Sequence, residues 1–201
     1  MKIGIIGAME SEIQLLREYL GNPAPTHLRR YAFYEGQIGN HQVVVLLSGI
    51  GKVSASIGTA LLIDHFAPEL VINTGTAGGL RHSKVFDMVL ATEVSYYDVD
   101  VTAFGYAIGQ QAQMPRSYLP AEQWFYKAQE SVARYTSQLH CAPIVSGDSF
   151  DPPMDRDPLS RSCSCRDGSG SYSTNLLPYG HTFPYPTRCF RQCRRRKYDL
   201  L

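Results

Sequence analysis

Four short apolar runs in this chain each lead into a glycine. They are Lys2-Ile-Gly-Ile-Ile6 before Gly7, Gln42 to Leu47 before Gly49, Leu70 to Asn73 before Gly75, and Pro143 to Val145 before Gly147. Runs that are apolar at successive rather than alternate positions read as buried strands. Segments of helical period separate them. Ile13, Leu16 and Leu20 recur at that spacing and stop at Gly21-Asn22-Pro23, a grouping that closes a helix. Val53, Ile57, Ala60 and Leu61 give a second helix an apolar stripe, ended by Pro68. Ala32 to Ile38 pairs with Gln42 to Leu47 as a hairpin about Gly39-Asn40, a favourable turn pair. A strand near Met88 to Val94 follows, then a helix from Ala121 to Leu139 with Trp124, Ala128, Val132, Tyr135 and Leu139 on one face. This alternation predicts an α/β fold, a mixed and largely parallel sheet with helices on both faces. Ligands of such folds settle at the carboxyl ends of the strands.

The remaining bounds are broad. A chain of 201 residues is long enough for one substantial core. No apolar run has the length of a membrane span, and Met1-Lys2 leads directly into a strand, so neither a membrane nor a secretory route is expected and the cytoplasm is. A net charge of +1 gives no global attraction to nucleic acid. That average hides a seam at Phe150, since residues 1–150 carry a net −3 and residues 151–201 a net +4. The tail holds four of the five cysteines yet no Ala, Val, Ile or Glu, a composition too poor in core formers to offset the entropy of ordering. The expected organisation is a domain over 1–150 and a largely irregular tail over 151–201. Cys163, Cys165, Cys189 and Cys193, with His181 between them, lack the spacing of a zinc knuckle, so no metal is expected.

The glycine turns are the places to seek chemistry. Thr74-Gly-Thr-Ala-Gly-Gly79 reads as a glycine loop whose backbone amides approach a ligand without an intervening Cβ; a plain tight turn is the alternative. It lacks the Lys-Ser/Thr ending of a phosphate loop, and Gly4-x-x-Gly7 does not complete a dinucleotide fingerprint. Glu10 and Glu12 begin the first helix, where its dipole favours carboxylates with or without a catalytic role. Phe104 and Tyr106, after Asp98-Val-Asp-Val-Thr102, suit an aromatic wall, an oligomer contact or core packing. Ser146-Gly-Asp-Ser-Phe150 ends a strand with an aromatic that can stack on a planar base.

Taken in order, Met1 to Glu10, Ser48-Gly-Ile-Gly-Lys-Val53, Ile72-Asn-Thr-Gly-Thr-Ala-Gly-Gly79, Asp98 to Tyr106 and Ser146 to Phe150 closely resemble the bacterial 5′-methylthioadenosine/S-adenosylhomocysteine nucleosidases. The resemblance implies an α/β/α fold of the nucleoside phosphorylase type, a homodimer, and hydrolysis of the adenine N-glycosidic bond with no cofactor. On the matched motifs, Glu12 is the residue that activates water. Thr76 stands where the family usually has serine. Ala77 and Gly78 set backbone against the purine, and Phe150 stacks on it. Met9 and Ile50 line the sugar and sulfur side, while Val101, Phe104 and Tyr106 match the stretch that reaches the neighbouring subunit's alkylthio pocket.

The family's later motifs are a Met-Glu pair that holds the ribose hydroxyls and a Ser-Asp pair that protonates the leaving adenine. Neither is found after Phe150, where Asp151-Pro152-Pro153 replaces the family's apolar continuation. A frameshift just past codon 150 is the simplest reading. The expectation is therefore a nucleosidase fold that is incomplete at its C-terminus and impaired in activity. Two rivals stay open: a phosphorolytic purine nucleoside phosphorylase, and a non-catalytic dimerising remnant with a basic tail.

Overall fold

The computed structural model describes residues 1–78, 86–149, 163–164 and 187–194. Strands β1 (Lys2–Gly7), β2 (Thr26–Leu28), β3 (Tyr31–Ile38), β4 (His41–Leu47) and β5 (Leu70–Gly78) build one half of a sheet. Strands β6 (Met88–Tyr96), β7 (Leu139–Ser146), β8 (Cys163–Ser164) and β9 (Thr187–Arg194) build the other. The helices are α1 (Glu10–Tyr19), α2 (Lys52–Phe66) and α3 (Glu122–Ala133), with a 3-10 turn at Thr102–Phe104. Strand order is β2-β3-β4-β1-β5-β8-β7-β6-β9, and because β9 also pairs with β5 the second half closes on itself. β1 is parallel to β4 and β5, β6 to β7, and β9 to β5, whereas the β3–β4 hairpin is antiparallel. The sheet is thus mixed, with the parallel core expected of it.

β4 shows why helices cover both faces. Val43, Val44, Val45 and Leu46 are all buried. Val43 and Val45 join Ile13 of α1 with Ala32 and Tyr34, whereas Val44 and Leu46 join Leu62 and Phe66 of α2 with Ile6 and Phe33. Successive strand side chains leave opposite faces, so a run with no polar member needs cover on each side. Two glycines set the spacing of α2. A Cβ on Gly4 would meet Leu62 Cδ2 at 2.8 Å, and one on Gly58 would meet the Tyr31 ring at 3.1 Å.

Three expectations need correction. Of the stripe of Val53, Ile57, Ala60 and Leu61, the first three turn away from the sheet, with Val53 70% and Ile57 48% exposed, while Leu61 is partly buried against the core. α2 is apolar almost all round, so periodicity does not select a face. The small residues Ser54, Ala55, Gly58 and Thr59 permit the closer approach, and these, with Leu62 and Phe66, are the buried ones. Thr74 to Gly78 is not a loop: β5 runs through it, paired with β9 from Val71–Thr187 to Gly78–Arg194. The third helix ends at Ala133 rather than Leu139. Thr136 Oγ1 accepts the N–H of Gln138, a local side-chain bond that competes with the helical ladder, and Leu139 opens β7.

Elsewhere the local signals hold. Gly21 and Asn22, at φ of 80° and 52°, close α1 with N–H bonds back to Glu18 and Arg17. Of the tail, the backbones of β8 and β9 are described, and its other residues lie outside the described set. Leu62 is fully buried beneath α2, so Leu62→Ala is expected to lower stability by about 2–5 kcal/mol in urea melts, while Leu15→Ala on α1, at a side chain 68% exposed, should change it by less than about 0.5 kcal/mol.

Candidate active site

The site grows from the turn after β1. Met9, extended at φ −120°, is the N-cap of α1, which places Glu12 at its third position. Helix N-termini leave backbone N–H groups without partners, and a glutamate at this position can fold back to accept them. Glu12 Oε2 accepts the N–H of Ala8 at 2.9 Å and of Met9 at 3.2 Å. Its Oε1 accepts from the N–H of Thr76 at 2.7 Å and from the Thr76 hydroxyl at 3.0 Å. One carboxylate thus joins the end of β1 to the middle of β5. Gly75 makes this possible, since a Cβ there would lie 2.6 Å from Oε1. The glycine serves a close approach inside a strand rather than the turn read from the sequence.

Other candidates fall around this centre unevenly. Ile50 lies between Gly49 and Gly51, at φ of 72° and 97°, and is 47% exposed. The Ala77 methyl is buried against Val89, Ala91 and Ile144, so only its backbone can meet a ligand. Gly78 ends β5, paired with β8 and β9. Val101 precedes the 3-10 turn. Phe104 stands 80% exposed, and Tyr106 is half-buried. Phe150 and Gly79 lie outside the described residues. The structure therefore brings Met9, Glu12 and Thr76 together and sets Phe104 on the surface.

A second cluster joins residues that the sequence shows only as separate motifs. Lys52 Nζ donates to both oxygens of Asp98, at 2.8 and 2.7 Å. The Lys52 N–H donates to Asp148 Oδ1 at 2.8 Å, and the Asp148 N–H to Asp98 Oδ2 at 2.6 Å. The three residues close a ring across the turns after β4, β6 and β7. The Lys52 and Asp98 side chains are 17% and 15% exposed, and a two-pronged bond to a charged acceptor is stronger than a neutral one. The Lys52 ammonium also lies 5.0 Å from the centre of the Tyr96 ring. Tyr118 packs edge-on against Tyr96, and burial pushes its phenol above the ordinary range. The one sequence hint was that all three charges stand within a few residues of a strand's carboxyl end. Among the described residues no group of His, Cys, Asp and Glu is placed to hold a metal ion, and no helix is long and apolar enough to cross a membrane.

Residues 2–156 match the family model of the phosphorylase superfamily. A curated 5′-methylthioadenosine/S-adenosylhomocysteine nucleosidase from Exiguobacterium sp. is 51% identical over 152 residues, which are 75% of this chain. The nucleosidase of Neisseria meningitidis, solved with methylthio-immucillin-A, has a TM-score of 0.85 at 35% identity, covering 96% of this chain and 84% of that one. The chain belongs to the 5′-methylthioadenosine/S-adenosylhomocysteine nucleosidase family. The S-adenosylhomocysteine nucleosidase of Streptococcus pyogenes, solved with 5-methylthiotubericidin, gives a TM-score of 0.82 at 32% identity, over 96% and 83% of the two chains. The chain spans 65% of the length of the Exiguobacterium nucleosidase.

In this nucleosidase fold the contact between Glu12 and β5 depends on the bare Cα of residue 75. Gly75→Ala is expected to drive the carboxylate off the Thr76 N–H. The buried donor left behind should lower stability by about 1–3 kcal/mol, seen as an earlier thermal transition.

Proposed function

We propose that this chain acts on adenine nucleosides of the 5′-thio class, hydrolysing the N-glycosidic bond of 5′-methylthioadenosine and S-adenosylhomocysteine to release adenine. The observation that carries this reading is the Glu12 carboxylate held by Ala8, Met9 and Thr76. Breaking the bond builds an oxocarbenium-like sugar, and a positioned base that takes a proton from water meets it with a nucleophile. Three of the four donors to Glu12 are fixed backbone N–H groups. The Thr76 hydroxyl alone can rotate, and when it turns away Oε1 offers a lone pair to water. Met9 and Ile50 line the sugar and sulfur side, the backbone of Ala77 and Gly78 meets the purine, and Phe150 stacks on it. The ligands of the two solved relatives, methylthio-immucillin-A and 5-methylthiotubericidin, agree with that class. The reaction needs only nucleoside and water.

The same geometry disfavours phosphorolysis. Convergent backbone N–H groups are what a phosphate would seek, and here a carboxylate of this chain fills them. An incoming anion would meet negative charge instead. Arg30, a basic side chain of the loops, is engaged with Ser54 at 2.7 Å and stacks over Tyr31.

A second copy completes the reading. Val53 and Ile57 form an exposed apolar stripe on α2, continued by Ile50, and such a stripe is suited to burial against another subunit. The exposed Phe104, with Val101 and Tyr106, is then free to reach the partner's alkylthio pocket. Ile57→Glu is expected to convert a dimer to monomer in sedimentation velocity, with the fold retained by circular dichroism.

Residues beyond Phe150 follow a different reading frame in this proposal. Support comes from the tail's composition, which lacks Ala, Val, Ile and Glu. Without a leaving-group acid the rate should fall by about 10²- to 10⁴-fold. The test is adenine release from methylthioadenosine, followed by chromatography under single-turnover conditions. Slow release is expected, unchanged by added phosphate and lowered a further ~100-fold or more by Glu12→Gln. Release that requires phosphate, or that survives Glu12→Gln, would overturn the assignment. Translation of the other frame after codon 150, searched for Met-Glu and then Ser-Asp, tests the frameshift.

A further inference from the structure

We propose that Lys52 is a positioning residue for the nucleoside pocket, its ammonium and backbone N–H locking the turns after β4, β6 and β7 into one frame; this rests on the nucleoside reading above. The ring is closed by short bonds only: Lys52 Nζ to Asp98 at 2.7 and 2.8 Å, Lys52 N–H to Asp148 at 2.8 Å, and Asp148 N–H to Asp98 at 2.6 Å. The Lys52 ammonium also lies 3.8 Å from Asp148 Oδ2. Gly147 admits this closure, since a Cβ there would lie 2.7 Å from Asp98 Cγ and from the Tyr97 ring. The Tyr97 hydroxyl adds a bond to the Ser149 carbonyl.

The bonds of the ring run among Lys52, Asp98 and Asp148, whereas those of Glu12 run to Ala8, Met9 and Thr76. The ring acts through what is attached to it. Ile50 is two residues before Lys52, between glycines at φ of 72° and 97°, and its place is set by the bonds on either side of it, from the Ser48 hydroxyl to the Gly49 carbonyl at 3.0 Å and through Lys52 to Asp98 and Asp148. Val101 is three residues after Asp98. The turn after β4 is also tied back to the Glu12 turn, because the Ser48 N–H donates to the Gly7 carbonyl at 2.9 Å and the Ser54 hydroxyl to the Ser48 carbonyl at 2.7 Å. Lys52 therefore holds the wall that Ile50 presents to the sugar at a set distance from the carboxylate. Loss of the ammonium leaves two carboxylates facing each other, and their repulsion spreads the three turns.

The test is the dissociation constant of 5′-methylthioadenosine, measured by calorimetry at a temperature where melting curves show every variant folded. Lys52→Met should weaken binding on the order of tenfold, a loss equivalent to about 1.4 kcal/mol. Lys52→Arg keeps the charge and a bidentate grip on Asp98, and should bind within about threefold of the parent by the same conversion. If Lys52→Met melts below the titration temperature, Lys52→Gln replaces it, because it removes the positive charge, leaves both carboxylates in place and keeps a polar side chain, and should show the same weakening. Parent-like binding by the charge-removed variant, or equal weakening in Lys52→Arg, overturns the positioning role. A parent chain that binds no methylthioadenosine overturns the nucleoside reading and this proposal with it, and is recognised before any variant is compared.

Discussion

The Glu12 carboxylate is the joint on which the site depends. It completes the first turn of α1 by accepting from Ala8 and Met9, and it reaches β5 by accepting from Thr76. A side chain satisfying a helix terminus is ordinary; one that also satisfies a strand distant in sequence ties local structure to tertiary structure. The carboxylate can be in only one place if all four donors are to be met, and hydrogen bonds to a charged acceptor are stronger than neutral ones. The carboxylate is therefore part of the scaffold, because the group that completes the first turn of α1 also joins the end of β1 to β5.

Close approach makes this arrangement possible, and glycine supplies it from several directions. Gly75 leaves room for the carboxylate, Gly4 and Gly58 bring α2 against the sheet, and Gly147 lets the turn after β7 lie on Tyr97 and Asp98. Side chains there would widen each spacing by a fraction of an ångström to more than an ångström. Packed interiors do not absorb such changes without loss. The glycines that matter most at the site serve contact distance, and positive φ is a separate need met at Gly49 and Gly51.

How much of this could be read beforehand follows from what each residue has to satisfy. β1 and β4 were legible because burial on two faces leaves an unbroken apolar run, and α1 because Ile13 and Leu16 pack on one side while Gly21-Asn22 ends it. Glu12 and Thr76 stood out only as members of separate motifs, and their mutual bond was not legible, since spacing along the chain carries no information about β5 lying beside α1. α2 misled because its apolar residues surround the axis, so only the size of Gly58 and Ala55, not hydrophobicity, reveals the face that packs. Thr74 to Gly78 misled because glycine is read as a turn former, and a strand that needs glycine for clearance looks the same. The ring of Lys52, Asp98 and Asp148 was silent for a simpler reason: charges at strand ends are common, and three distant ones become a unit only when the sheet has assembled.

That ring bears on the order in which the molecule comes together. The N–H of Lys52 opens α2, and its acceptor, Asp148, is 96 residues further along the chain. The first turn of this helix stays frayed while the nascent chain is short and is finished only once β7 has docked beside β6. Contacts so distant in sequence close slowly, after the loop entropy between them has been overcome. The amino-terminal half can reach its general shape early, yet the edge built by the turns after β4, β6 and β7 is completed late.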